Sequence, residues 1–201
     1  MAIPANFRLT ARFERALTYA ARIHARQTRK GKATAYIAHL LGVAGIVLDH
    51  GGDEDQAIAA LLHDAAEDQG GRARLRDIRR KFGPRVARIV DACTDTYQDP
   101  KPPWLERKKS YLRRLRHASP GARMVSAADK LHNARELLSD ILASRGRRQV
   151  EVWFRFKGGR EGTLWYYRSM AREFQLRGPK RLGAELARVV LHLRAAASRH
   201  T

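Results

Sequence analysis

His63 and Asp64 stand side by side in LLHDAAED, a segment otherwise apolar enough to be buried. A carboxylate is costly there without a compensating charge. On a helix, Glu67 falls one turn beyond His63 and Asp64, and Asp68 one turn beyond Asp64. One face would then gather an imidazole and several carboxylates, and like charges that close repel. A divalent cation relieves the repulsion, because it accepts imidazole nitrogen and carboxylate oxygen together. Taken alone, the dipeptide is better explained by a satisfied histidine on a helix whose Glu67 and Asp68 face water. Two further segments change that weight: TAYIAH, ending in His39, and SAADKLHNARE, containing Asp129. Asp129 and Asn133 share a helical face one turn apart, with Lys130 and His132 turned elsewhere. Three helices can thereby converge on one ion.

The elements that must position these groups read as helices almost throughout, with strand-like alternation scarce. The expectation is an all-α, compact helical bundle forming one domain over residues 1–201. A first helix is expected from Thr10 to Thr28, followed by the basic loop RKGKATAY. A second carries His39, Val43, Ile46 and Val47 and stops at Gly51-Gly52. A third, capped by Asp53, holds IAALLHDAAED in one piece. Later helices are expected over Leu75–Phe82, from Pro84 through RVARIVDAC, and over Trp104–His117, Gly121–Ala143, Thr163–Gln175 and Pro179–Ser198. In the last of these Leu182, Leu186, Val189, Val190 and Leu193 form a core-facing stripe. TDTYQDPKPPW reads as a loop inside the bundle, and EVWFRFKGG receives no assignment.

Cys93 is the only cysteine, so no intramolecular disulfide forms, and neither a signal peptide nor a membrane-spanning apolar run is found. A cytoplasmic protein is expected. The net charge of +20 admits two readings. One is arginines scattered over solvated helix faces, the other a positive field that draws in phosphorylated substrates, with nonspecific nucleic-acid binding as a side effect; charge alone does not separate them.

From about residue 11 to 140, the stretches ARIHARQTRKGKATAYIAHLLGVAGIV, AIAALLHDAAEDQ, KFGPRVARIVDACTD, LERKKSYL and SPGARMVSAADKLHNARELL resemble HD-domain phosphohydrolases. Within them the likeness is to the guanosine tetraphosphate hydrolase group of small stand-alone enzymes and RelA/SpoT hydrolase domains. The resemblance implies a helical bundle of the HD-domain type with a mononuclear site, His39, His63, Asp64 and Asp129 holding manganese. It also implies that Glu67 and Asp68 work on the attacking water or the departing phosphate. Leu40, Gln69 and the Ala127-Ala128 pair depart from the family's usual residues, yet none of them removes a ligand.

Such a ligand set leaves positions open for water and a phosphate oxygen, which suits phosphoester hydrolysis. Arg29 and Lys30 precede the His39 segment in a place suited to clamping phosphate, Lys30 being the better match to the family's basic position. Tyr36 either packs on the nucleotide or supports His39, and Asn133 holds substrate or a ligand. Arg160 and Tyr166, near the aromatic run LWYYR, are further substrate contacts, although aromatic residues at helical spacing are more often core. The implied reaction is removal of the 3′-pyrophosphate from guanosine tetra- or pentaphosphate, by a hydrolase with no attached synthetase. Two alternatives remain at this stage. One is a phosphatase of another nucleotide, a 2′-phosphorylated dinucleotide or a deoxynucleotide; the other is a nucleic-acid-binding protein on an HD scaffold.

Overall fold

The computed structural model describes residues 8–144 and 147–198, and over them the chain is helical, with no strand and a single antiparallel bridge between Thr28 and Ala35. The all-α expectation holds. The chain divides into two compact units between Tyr97 and Gln98, inside the TDTYQDPKPPW segment.

In the first unit, α1 (Ala11–Ile23) begins at Thr10, whose side chain accepts the Arg12 N–H. Thr10 also donates its hydroxyl to Glu54, and Arg12 pairs with Glu54 and Asp55 and donates to the Phe82 carbonyl. These contacts tie the start of α1 to α3 (Glu54–Leu62) and to the end of α5 (Gly71–Phe82). Buried Ala16 and Ala20 present small side chains on α1, which packs on α3. Asp53 caps α3 in a reciprocal box with Gln56, each bond 3.0 Å. Every residue from Ala57 to Leu62 is buried, so α3 is the axis of this unit, packed by α1, by α2 (Ile37–Asp49) and by α6 (Pro84–Cys93). Gly83, at φ 93°, makes the left-handed turn between α5 and α6 that a side chain would resist.

Several expected boundaries move: the helix expected from Leu75 already starts at Gly71, the one expected over Thr163–Gln175 spans Gly159–Arg177, and two changes bear on the site. The first helix ends at Ile23, not Thr28, because residues 27–29 pair with 34–36 instead. The Arg29 N–H donates to the Thr34 carbonyl at 2.8 Å and the Tyr36 N–H to the Gln27 carbonyl at 2.9 Å. Gly31, at φ 71°, allows the reversal between them. The expected single helix through IAALLHDAAED is broken. It runs as α3 to Leu62, and a separate turn, α4 (Ala65–Asp68), follows, with His63 and Asp64 at the junction.

The second unit contains α7 (Trp104–Leu115), α8 (Pro120–Ala143), α9 (Arg147–Phe154), α10 (Gly159–Arg177) and α11 (Lys180–Ser198). Helices α8, α10 and α11 pack on one another around Leu131, Ile141, Met170, Phe174, Leu182, Leu186 and Leu193. Of the expected α11 stripe all but Val189 are buried. A Cβ on Gly183 would stand 2.7 Å from the Phe174 carbonyl oxygen, so the close approach of α11 to α10 requires glycine there. Helix α9 covers part of EVWFRFKGG, which the sequence left unassigned.

Candidate metal centre

The break after Leu62 is what arms the first unit. His63 and Asp64 are themselves in right-handed helical conformation, at the C-cap of α3 and the N-cap of α4. His63 is only 2% exposed, and its Nδ1 lies 2.8 Å from the Ala60 carbonyl oxygen. That oxygen can only accept, so in the neutral ring Nδ1 carries the proton and Nε2 the lone pair. Nε2 stands 3.0 Å from Asp64 Oδ2, and Nε2 of His39, on the first turn of α2 and 1% exposed, stands 3.7 Å from the same oxygen. The two imidazole rings are 5.2 Å apart, edge to face.

A neutral imidazole lone pair facing a carboxylate lone pair at 3.0 Å is repulsive, and a cation held between the two makes the same geometry attractive. Two ligand atoms each about 2.1 Å from an octahedral ion and at right angles to one another lie about 3.0 Å apart, so the spacing fits a small divalent ion. The His63 hydrogen bond to Ala60 leaves on Nε2 the lone pair that a metal ion would need. Asp64 has its own support, because the Tyr36 hydroxyl donates to Oδ2 at 2.5 Å. The Tyr36 ring is edge-on to His39 and carries the Arg29 guanidinium 5.6 Å above its centre. Tyr36 therefore supports the His39 and Asp64 side chains directly, and Arg29 is brought to the same place. Lys30 lies exposed in the neighbouring turn.

Glu67 and Asp68, on the turn that follows, each accept a hydrogen bond from a different segment. Glu67 Oε2 accepts the Asp95 N–H at 3.0 Å, beside the end of α6, while Asp68 Oδ2 accepts from Gln27 Nε2 at 2.8 Å, at the end of α1. Gln27 and its neighbour His24 were missed in the sequence, where IHARQ reads as plain helix.

In the second unit, Asp129 is buried on α8, and Asn133, one turn on, donates to its Oδ1 at 2.5 Å. Lys130 departs from expectation. It bonds Asp129 Oδ2 instead of turning away, since its long stem folds back between the Tyr111 and Tyr166 rings. Burial opposes its charge, but the Asp129 carboxylate and both tyrosines outweigh burial and hold the ammonium well above the ordinary lysine value. Tyr166 is buried against Trp104 and Trp165. The Arg160 guanidinium donates to the Ala197 carbonyl at 2.6 Å and ties α10 to the end of α11.

Comparison with known proteins bears on this cluster. The HD domain family matches residues 16–164, a span that includes every implied ligand. The guanosine-3′,5′-bis(diphosphate) 3′-pyrophosphohydrolase MESH1 of Homo sapiens is 42% identical over 155 residues, which are 74% of this chain and 84% of that protein. The Drosophila melanogaster protein of the same name is 36% identical over 131 residues, 64% of this chain and 70% of that one. Among solved structures, a metazoan ortholog of SpoT that hydrolyses ppGpp superposes with a TM-score of 0.71 at 27% identity, covering 94% of this chain and 96% of that chain. A Listeria monocytogenes EGD-e protein follows with a TM-score of 0.64 at 28% identity, over 81% of this chain and 99% of that chain. With the His63-Asp64 pair at a helix break, a second buried histidine aimed at the same carboxylate, and a match that runs through three quarters of its length, the chain belongs to the HD-domain family.

Proposed function

We propose that this chain is a cytoplasmic, manganese-dependent hydrolase that removes the 3′-pyrophosphate from guanosine 3′,5′-bis(diphosphate) or the pentaphosphate, giving GDP or GTP and pyrophosphate. The observation that carries the metal chemistry is the 3.0 Å approach of His63 Nε2 to Asp64 Oδ2, with His39 aimed at the same oxygen. The substrate follows the MESH1 relatives, of which the chain covers up to 84%.

In this reading Asp129 completes the ligand set. Its support is its place in SAADKLHNARE and its burial on α8 with a carboxylate oriented by Asn133 and Lys130. Since the family match runs from residue 16 to 164, we take both units to serve one HD module. The bound ion would supply a lowered water pKa and charge stabilisation at phosphorus. Water oxygen adds to the phosphorus on the 3′ oxygen, the P–O3′ bond breaks, and O3′ takes up a proton. Glu67 and Asp68 orient that water and move the proton. Arg29 and Lys30 bind the phosphates, with Asn133, Tyr36, Tyr166 and Arg160 as further contacts to the nucleotide.

The test is to incubate purified protein with guanosine tetraphosphate and Mn²⁺ and identify the products, beside a 2′-phosphorylated dinucleotide and a deoxynucleoside triphosphate. Equal amounts of GDP and pyrophosphate are expected, with activity lost in His63→Ala and Asp64→Asn. Turnover of one of the other nucleotides with none of guanosine tetraphosphate overturns the substrate assignment. Undiminished activity in both variants overturns the metal centre.

A further inference from the structure

Gln27, in the connection between α1 and α2, makes five hydrogen bonds. Its N–H donates to the His24 carbonyl, and its own carbonyl accepts the Tyr36 N–H, both at 2.9 Å. Its side-chain Oε1 lies 2.6 Å from His24 Nδ1 and accepts from Gln69 Nε2 at 2.7 Å, while its Nε2 donates to Asp68 Oδ2 at 2.8 Å.

Counting donors and acceptors fixes the orientation of every group. An ionised Asp68 only accepts, so the amide nitrogen of Gln27 faces it and the amide oxygen faces the other way. An amide oxygen also only accepts, so His24 Nδ1 holds the proton and Nε2 the lone pair. His24 is 2% exposed, and its Nε2 has no hydrogen-bond partner among the described residues. Burial lowers the pKa of this imidazole against the pull of Gln27, which favours the neutral ring. That ring lies stacked on Tyr36, with centroids 5.3 Å apart and planes 20° apart, and the Tyr36 hydroxyl in turn reaches Asp64. Tyr36 is thus held from Gln27 twice, through the main chain and through the His24 ring.

We propose that Gln27 is a positioning residue for the hydrolysis, one amide that aims two carboxylates: Asp64, through His24 and Tyr36, and Asp68, directly. This rests on the reading of His39, His63 and Asp64 as a metal centre. A histidine stacked on a tyrosine is commonly mere packing. Here the packing face is fixed in tautomer and rotation by an amide whose other end holds the carboxylate at the end of α4.

Two variants separate the arms. Gln27→Glu keeps the oxygens that accept from His24 and Gln69 but sets a carboxylate against Asp68. Gln27→Met keeps the approximate volume and loses both arms. Calorimetric Mn²⁺ affinity, kcat and KM for guanosine tetraphosphate, and the melting midpoint are measured for each. Gln27→Glu is expected to hold Mn²⁺ within about threefold of the parent and keep its KM, while kcat falls about tenfold or more, as when a proton-handling group is misplaced. Gln27→Met is expected to lose about tenfold in Mn²⁺ affinity as well, the usual scale for an outer-shell partner.

Metal affinity and kcat that stay within twofold in both variants overturn the proposal. So does a uniform loss that only follows the melting midpoint. A parent that binds Mn²⁺ without hydrolysing guanosine tetraphosphate defeats the substrate assignment alone, and the Met variant's metal affinity still decides the role of Gln27. Should Gln27→Met not fold, Gln27→Asn, whose amide is one methylene too short to span His24 and Asp68, replaces it.

Discussion

At the scale of single residues, the order of dependence runs inward from hydrogen-bonding partners to ligands. In the proposed site His63 would ligate through Nε2 because Ala60 holds its other nitrogen, and Asp64 is held by Tyr36, which donates to the same oxygen that faces both histidines. Tyr36→Phe keeps the ring, its stack on His24 and its edge contact with His39, and removes the hydroxyl that donates to Asp64. Metal affinity is expected to fall about tenfold with the fold intact, the common cost of losing an outer-shell hydrogen bond; calorimetry with Mn²⁺ beside a thermal melt checks it. An unchanged affinity would mean that the hydroxyl is incidental to Asp64. The grouping of His39, His63 and Asp64 was legible in the sequence because the HD pair is costly to bury and the TAYIAH segment offers a companion histidine. Gln27, His24 and Lys130 were not. Their roles depend on which donor meets which acceptor, across a loop for Gln27 and His24 and along α8 for Lys130, and helical periodicity carries no information about that. Lys130 was placed on the wrong side for a related reason: a face assignment follows Cβ direction, whereas a lysine ammonium sits four bonds further on and can return to its neighbour.

At the scale of elements, the helices were read from apolar spacing and most boundaries followed, but the errors fall where local bonds outrank the pattern. Apolar spacing continues through LLHDAAED, so one helix was expected, yet the chain breaks there and sets His63 and Asp64 at the junction. The first helix was overextended because the pairing of residues 27–29 with 34–36 involves contacts that no window along the chain reveals. The start of α1 is a point where sequence and structure agree on Thr10, and it can be tested. Thr10 caps α1 and also bonds Glu54 through both its N–H and its hydroxyl. Thr10→Ala is expected to cost about 1 kcal/mol from the cap alone, read as a lower urea midpoint. Burial pushes the Glu54 carboxyl upward, but the two Thr10 bonds and the Arg12 charge outweigh that and hold it below the ordinary glutamate value. A depressed carboxyl pKa gives stability that is complete above the unfolded-state value and lost as pH falls through the folded one. The advantage of the parent over Glu54→Gln should therefore be full at neutral pH and shrink through the acid range, in urea titrations run at several pH values. An advantage that does not change with pH would remove the charge from the explanation.

At the scale of the whole molecule, the +20 excess is uneven along the chain, since residues 98–201 carry 24 of the 40 Lys and Arg but only 9 of the 20 Asp and Glu. Some of these are paired within the second unit, Arg116 and Arg177 with Glu173 and Arg155 with Asp140, yet acidic partners run out long before the cations do. Two opposite effects of salt follow. Self-repulsion weakens the folded state most at low ionic strength, where the Debye length is about 30 Å, and it is largely screened by about 0.15 M salt. The melting midpoint should rise over that interval. If ion pairs dominated instead, the same screening would lower it. The positive field also concentrates a polyphosphate near the protein, so kcat/KM for guanosine tetraphosphate should fall over the same interval, through KM and with kcat little changed. Stability rising while kcat/KM falls would assign the excess charge to substrate capture at a cost in folding. A kcat/KM indifferent to salt would leave the arginines as a solvated surface with no part in the reaction.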